Sequence, residues 1–568
     1  MLKLDRMLAL LALAAGAVAC SDAKEDAFPV ADGERPSPGP SAPVDFDDSG
    51  LSPPPIVGQG GGTTVSNPQS PGGSPAIGAD EAEGPSRDNP SGDRYDAVGT
   101  NPFVLVAHDP LSTFAADVDT ASYDIFRRYA PTGNPDPASV RLEEFVNYFH
   151  YDYPAPPADS EEPFSILLAA APNPLRAGTT LLRVGIQGKA APEEETKPAN
   201  IVFLVDVSGS MQSSDRLPLA QQVLRQTLDL LQPTDKVSIV SYASDTRVRL
   251  EPTPVSERAT IIAQIDALSA GGSTAGASGI ELAYQQAEAG FIEGGINHVV
   301  LCTDGDFNVG PSSTEQLLNI IRVKRTTGVT LTALGFGSGN LNDGMLEAVS
   351  NAGNGIYGVI TSEEQAADYV SERLLSNLNL IAKDVKLQVE FNPLIVNAYR
   401  LLGYENRAIA DDDFRDDVVD AGEIGAEHQV TALYEIVLED QDIPEGTNAP
   451  ASVGGAAYTG AIEVDTDDLV LVKVRYKNLD AGEDDAAFEV SSSLAPSAVA
   501  SAGDELDPDL AWAISLAGFA EILKESPYAL PDTMGTLEST FEAQAERDDD
   551  RAEFLELFTS VKGRMTSP

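Results

Sequence analysis

The chain has 568 residues, with 89 acidic and 36 basic side chains and a formal net charge of −53. That length suits several domains, and 42% hydrophobic residues are enough to build their cores. The charge argues against nucleic acid, which needs clustered Lys and Arg, and disfavours an anionic membrane surface. Two cysteines, Cys20 and Cys302, exclude a disulfide framework, and four histidines leave little material for a Cys/His zinc cluster. So acidic a chain holds cations well, which makes a metal the first partner to consider.

Lys3 and Arg6 precede an apolar run over 7–19 that is too short to span a bilayer. Residues 1–20 read as a signal segment. The run ends Ala17-Val18-Ala19-Cys20, which resembles the lipobox of bacterial lipoproteins, with Ala17 where Leu is commoner. The resemblance implies lipidation of Cys20; ordinary cleavage after an Ala-x-Ala site is the alternative. In residues 21–100, Pro, Gly and Ser supply 36 of 80 positions, so this stretch is expected to be a disordered linker. Its r.m.s. reach is roughly 50 Å. No later segment is apolar and long enough to cross a membrane, so the lipid would be the anchor. The expected location is the cell envelope, on the outer membrane facing the periplasm.

Residues 101–197 form an amino-terminal flank with a helical period at 140–149 and strand-like runs at 164–171 and 181–186. From 198 to 382, apolar runs alternate with helical periods. Strands are predicted at 201–205, 237–242, 299–302, 329–334 and 355–360. Helices are predicted at 217–231, 259–268, 278–289, 315–323, 342–349 and 363–380. This alternation predicts a doubly wound α/β domain whose sites lie beyond the carboxyl ends of the strands.

Polar residues fall at those ends. Asp206-Val207-Ser208-Gly209-Ser210 follows the first strand, and Thr303-Asp304-Gly305-Asp306 follows the strand that ends at Cys302. A loop, Gly271-Gly272-Ser273-Thr274-Ala275-Gly276, lies between two predicted helices. Two carboxylates and three hydroxyls make an all-oxygen set that suits a hard cation such as Mg²⁺. Asp206-x-Ser208-x-Ser210, Thr274 and Asp304-Gly305 together resemble the metal-ion-dependent adhesion site of von Willebrand factor type A domains. The resemblance implies ligation by Ser208 and Ser210, by Thr274 in the ligand-bound form, and by Asp206 and Asp304 directly or through water. A partner's Glu or Asp would fill the sixth position, and Mn²⁺ or Ca²⁺ are alternatives to Mg²⁺.

Other site chemistries fit less well. Asp304-Gly305-Asp306-Phe307-Asn308 looks like a haloacid-dehalogenase motif, but Asn308 stands where Thr or Val is expected. Gly335-Phe336-Gly337-Ser338-Gly339 lacks the third glycine and following helix of a dinucleotide fingerprint. Cys302 lies in an apolar run and reads as a buried thiol, while His298 stands before a strand with no nucleophile in view.

Residues 383–568 form a carboxyl-terminal region carrying 40 acidic and 13 basic side chains. Strands are predicted at 385–391, 430–437, 469–476 and 488–490, and helices at 510–523 and 551–561, with Trp512 in a core. In the flanks, Asp117-Val118-Asp119-Thr120-Ala121-Ser122-Tyr123, Tyr399-Arg400-Leu401-Leu402-Gly403-Tyr404-Glu405-Asn406-Arg407 and Asp420-Ala421-Gly422-Glu423-Ile424-Gly425 resemble the bacterial YfbK-like group of type A-domain lipoproteins. Asp117 and Asp119 are expected to cap a helix, with metal binding as the alternative. The acidic clusters at 411–420 and 546–550 lack the spacing of an EF-hand loop and read as solvated surface. Strands from both flanks are expected to join one β-rich domain into which the α/β domain is inserted, with two unrelated flanking domains as the alternative. The function expected from these readings is non-enzymatic: a lipid-anchored binding protein that captures an acidic residue of a protein partner through its metal site. The alternatives are a metal-dependent hydrolase and a structural envelope protein braced by its ion.

Overall fold

The computed structural model describes residues 92–565 except 158, 191–196, 274–275, 306–310, 418, 420, 445–456, 480, 483–484 and 502. The signal segment, Cys20 and the linker up to residue 91 lie outside the described residues. Residues 92–100, assigned above to the linker, are described: Asp93 is buried, so the packed chain starts earlier than composition suggests.

The amino-terminal flank contains β1 (Val104–Leu105), β2 (Leu111–Ala115), α1 (Ala121–Tyr129), α2 (Leu142–Val146), β3 (Phe164–Pro172) and β4 (Thr180–Gly188). The α/β unit follows with β5 (Ala199–Asp206), α3 (Leu217–Leu230), β6 (Lys236–Tyr242), β7 (Thr246–Pro254), α4 (Arg258–Asp266) and α5 (Gly276–Gly290). It continues through β8 (Ile296–Thr303), α6 (Pro311–Arg325), β9 (Thr330–Phe336), α7 (Asp343–Ala352) and β10 (Tyr357–Ile360). The sheet order is β10-β9-β8-β5-β6-β7, parallel except for β7, which runs antiparallel to β6.

Every residue of β5 is buried, because helices cover both faces of a parallel sheet. Ile201, Phe203 and Val205 face one core with Leu224 and Leu228 of α3, while Val202 and Leu204 face the other with Ile280 and Tyr284 of α5. The edge strand β7 escapes the apolar-run criterion because Arg247, Arg249 and Glu251 alternate along it, as suits an unpaired edge. His298, expected before a strand, is inside β8 and buried, with its Nδ1 2.6 Å from Thr330 Oγ1.

The single helix expected over 363–380 is interrupted. It consists of α8 (Glu363–Asp368), one π-helical stretch at Tyr369–Leu374 and α9 (Leu375–Leu378), and the chain is already extended at Leu380. The wider turn places Tyr369 against Gly358 while Arg373 Nη2 donates to the Tyr148 carbonyl at 2.9 Å.

Beyond this unit come β11 (Leu380–Phe391), β12 (Val396–Leu402), β13 (Gly422–Gly425), β14 (Gln429–Leu438), β15 (Val470–Lys477) and β16 (Phe488–Leu494). Helices α10 (Pro508–Leu523), α11 (Met534–Gln544) and α12 (Asp549–Met565) follow. One sheet has the order β1-β12-β14-β4-β3; in the other, β13 and β2 pair with β11, which also pairs with β15 and through it reaches β16. Strand β4 pairs with β14 from Thr180↔Ile436 to Gln187↔Gln429, and β2 with β11 from Ala115↔Lys386 to Leu111↔Glu390. Strands from before and after the α/β unit therefore share both sheets, and the unit is an insertion into a β sandwich. Leu182, Val184 and Ile186 of β4 pack with Leu387 and Val389 of β11 in the sandwich core. A fourth core joins α1 and α2 to α10–α12 through Tyr123, Phe126, Phe149, Trp512, Phe541 and Phe554, with Trp512 fully buried.

Asp117 and Asp119 do not cap a helix. Thr120 precedes α1, and no side chain caps it. Arg407 Nε donates to Asp117 Oδ2 at 2.9 Å and Arg407 Nη2 to Asp119 Oδ2 at 3.0 Å. Buried carboxylates need a charged partner more than a helix end needs a cap. The acidic clusters are also more engaged than solvated surface would be. Thr113 Oγ1 donates to Asp411 Oδ1 at 2.6 Å, Arg475 Nη2 pairs with Asp417 at 2.6 Å, and the Arg551 amide donates to Asp548 Oδ1 at 2.7 Å. Among the described residues no helix is long and apolar enough to cross a membrane.

Candidate metal centre

The site starts at the carboxyl end of β5, where Asp206 is the last strand residue and is fully buried. Its Oδ1 accepts the Ser208 amide at 2.7 Å, which turns the chain sharply into a single 3₁₀ turn, Gly209–Gln212. That turn brings Ser208 Oγ and Ser210 Oγ to 2.9 Å from each other. Beside it, Thr303 at the end of β8 donates its hydroxyl to Asp206 Oδ2 at 3.2 Å, and Asp304 follows, 1% exposed.

Two glycines shape the surrounding loops. Gly305 has φ +92°, and a Cβ there would meet Leu341 Cα and Asn342 N at 2.6 Å. Gly272 also has φ +92°, and a Cβ would lie 2.6 Å from Ser244 Oγ. The glycine-rich loop is stitched to the 206–210 turn: the Gly209 amide donates to the Gly272 carbonyl at 3.0 Å and the Gly271 amide to the Val207 carbonyl at 2.8 Å. Thr274 itself lies outside the described residues; the amide of its neighbour Ser273 donates to Ser244 Oγ at 2.9 Å.

Asp206, Ser208, Ser210 and Asp304 thus converge on one edge of the sheet. Burial pushes the Asp206 carboxyl up to about 6, with the Asp304 charge adding to the rise. A cation placed among these oxygens would relieve that repulsion. Two acidic oxygen donors and two hydroxyls fit a hard divalent ion. Among the described residues no group of three or more His, Cys, Asp and Glu could hold a metal, so an ion here would depend on the hydroxyls.

Three participants had no role assigned from the sequence. Arg216 Nη1 donates to Asp304 Oδ2 at 2.6 Å and to the Ser210 carbonyl at 2.7 Å, and Nη2 donates to the Ser338 carbonyl. Asn340 Nδ2 lies 3.4 Å from Asp304 Oδ2, and Thr303 bridges to Asp206. A signal for Arg216 was present. It stands at the N-cap of α3, where a helix favours Ser, Asp or an anion rather than a cation.

A family model described as von Willebrand factor type A domain matches residues 200–372, which contain every residue of this site. Models described as "Uncharacterized protein YfbK, C-terminal" and "von Willebrand factor" match 376–563 and 89–183. "Uncharacterized protein YfbK" of Escherichia coli (strain K12) is 38% identical over 488 residues, covering 84% of this chain and 82% of that protein. The chain belongs to the YfbK family. Two other similarities cover less of this chain. Human inter-alpha-trypsin inhibitor heavy chain H4 is 28% identical over 151 residues, covering 25% of this chain and 16% of that one. The solved von Willebrand factor type A structure from Catenulispora acidiphila shares 14% identity at a TM-score of 0.39, covering 69% of this chain and 88% of that one. Within the YfbK framework the inserted α/β unit is the type A domain, and the β-rich sheets flank it.

Proposed function

We propose that this chain is an envelope-located, lipid-anchored binding protein whose metal site captures an acidic side chain of a protein partner. The observation that carries the reading is the convergence of Asp206, Ser208, Ser210 and Asp304 at the carboxyl ends of β5 and β8. Asp206, Ser208, Ser210, Asp304 and Thr274 would hold Mg²⁺, with Mn²⁺ or Ca²⁺ as alternatives. The bound ion supplies a Lewis-acidic position for a carboxylate. The hydroxyls are neutral, so they add ligands without adding further negative charge at the ion. Cys20 would carry the lipid and the following linker would hold the folded part away from an outer membrane, facing the periplasm.

Binding rather than hydrolysis fits the surroundings. His298 is five strand residues from Thr303, roughly 17 Å along β8, and cannot serve the site as a base. The test is crosslinking in intact cells, comparing wild type with Asp206→Ala and Asp304→Ala. Adducts present in wild type and lost in both variants support the proposal; adducts unchanged in both overturn it. A phosphatase or peptidase activity that disappears in Asp304→Ala would assign the site to hydrolysis instead.

A further inference from the structure

We propose that Arg216 is a specificity-determining residue of the metal site: a fixed guanidinium that limits ion affinity and makes the loaded site favour an anionic ligand. This inference rests on the function proposed above. Its geometry is built in from three loops. Arg216 bonds the Ser210 carbonyl in the 206–210 turn, Asp304 after β8, and the Ser338 carbonyl after β9. Its side chain is 12% exposed, and Gly337, with φ +73°, is shaped around it: a Cβ there would come 2.5 Å from Arg216 Cγ and 2.6 Å from Nε. Nε is itself buried without a hydrogen-bond partner among the described residues. An arginine kept here at that penalty, and at a helix amino terminus that disfavours cations, needs a counterbalancing role.

Charge balance supplies the role. The two site carboxylates and the guanidinium sum to −1, so a divalent ion leaves the site at +1, and one partner carboxylate brings it to zero. Without the guanidinium, the ion alone would neutralise Asp206 and Asp304, and an incoming carboxylate would leave excess negative charge in a buried site. Arg216 also occupies Asp304 Oδ2, which reduces the negative charge that Asp304 offers to an ion. Lysine lacks the planar fork but keeps the charge, and the charge is what this balance uses.

The experiment titrates Mn²⁺ alone into the full chain by calorimetry, then titrates acetate into the Mn²⁺-loaded protein while water relaxation at the ion is followed. Wild type, Arg216→Gln, Arg216→Lys and Asp304→Ala are compared, and ion-free melting checks that each folds. The expected result for Arg216→Gln is Mn²⁺ affinity raised on the order of tenfold and acetate affinity lowered on the order of tenfold. Arg216→Lys should stay near wild type in both. Unchanged or weaker Mn²⁺ binding in Arg216→Gln, with wild type binding intact, overturns this inference alone. Arg216→Lys behaving like Arg216→Gln also overturns it, because charge would then not be the cause. Wild type that binds no Mn²⁺ overturns both this inference and the proposed function.

Discussion

Arg407 Nη2 donates to Asp119 Oδ2 at 3.0 Å, joining the carboxyl-terminal flank to the amino-terminal one, while Asp119 Oδ1 accepts the Tyr357 amide of the inserted unit at 2.8 Å. The same guanidinium reaches Asp117 and, through Nη1, Asn351 Oδ1 at 2.9 Å. Removing the arginine would leave two buried carboxylates without their cation. Arg407→Ala is expected to destabilise the chain by about 3–5 kcal/mol, read as a lower midpoint in urea.

Glu143 predicts a pH dependence. Burial pushes its carboxyl from the usual 4.5 up to about 7, and the Glu405 charge adds to the rise. Neither of its oxygens has a hydrogen-bond partner among the described residues. The folded state keeps this proton to a higher pH than the unfolded chain does. The stabilisation is therefore complete below about pH 4.5 and is lost as pH rises through about 7. Glu143→Gln should be more stable than wild type at pH 8 by about 3 kcal/mol, with the gap closing below pH 5. Urea midpoints across pH 5–8 measure it; a constant gap would contradict it.

Gly305 holds the Asp304 turn against the loop at 341–342. Gly305→Ala combines a left-handed backbone with a Cβ 2.6 Å from Leu341 Cα and Asn342 N. The expected effect is a loss of about 2 kcal/mol or more. Weaker Mn²⁺ binding should accompany it, because Asp304 precedes the glycine directly.

Asp93 fixes the loop that carries Ser338 and Asn340. Its Oδ1 accepts the Gly339 and Leu341 amides at 2.7 and 2.9 Å, and Arg128 Nη2 pairs with Oδ2 at 2.7 Å. Asp93→Ala should raise amide exchange at residues 337–341 while the central strand β5 stays protected. Unchanged exchange at 339 and 341 would show that those bonds do not hold the loop.

The shared sheets predict that neither flank folds alone. A chain of residues 383–568 lacks β4, which pairs with β14, and β2, which pairs with β11. It should show no cooperative unfolding transition by circular dichroism, and a sharp transition would count against the shared sandwich.

The parts legible in the sequence were those where one physical demand dominates. Ile201 to Val205 could only be a strand covered on both faces, and Asp206-x-Ser208-x-Ser210 marked the turn after it because each polar side chain there has a local task. What escaped depends on distant partners. Arg247 and Glu251 fell in no predicted element because the charges alternating along an edge strand break the apolar run. Asp117 and Asp119 read as caps because Arg407, 288 residues away from Asp119, is invisible to local spacing. Arg216 was given no role because its three acceptors, at 210, 304 and 338, lie far apart along the chain.

Gly188, the last residue of β4, sits so near Ile381 at the start of β11 that a Cβ would lie 3.1 Å from Ile381 Cδ1. The chain therefore leaves the sandwich and returns to it at neighbouring points. Once the inserted unit has folded, the strands before and after it are held within pairing distance. Bringing them together across roughly 190 unstructured residues would otherwise cost about 5 kcal/mol of loop entropy. An α/β unit that assembles first would act as a clasp, setting the order in which the molecule folds and making the completion of the sandwich its last cooperative step.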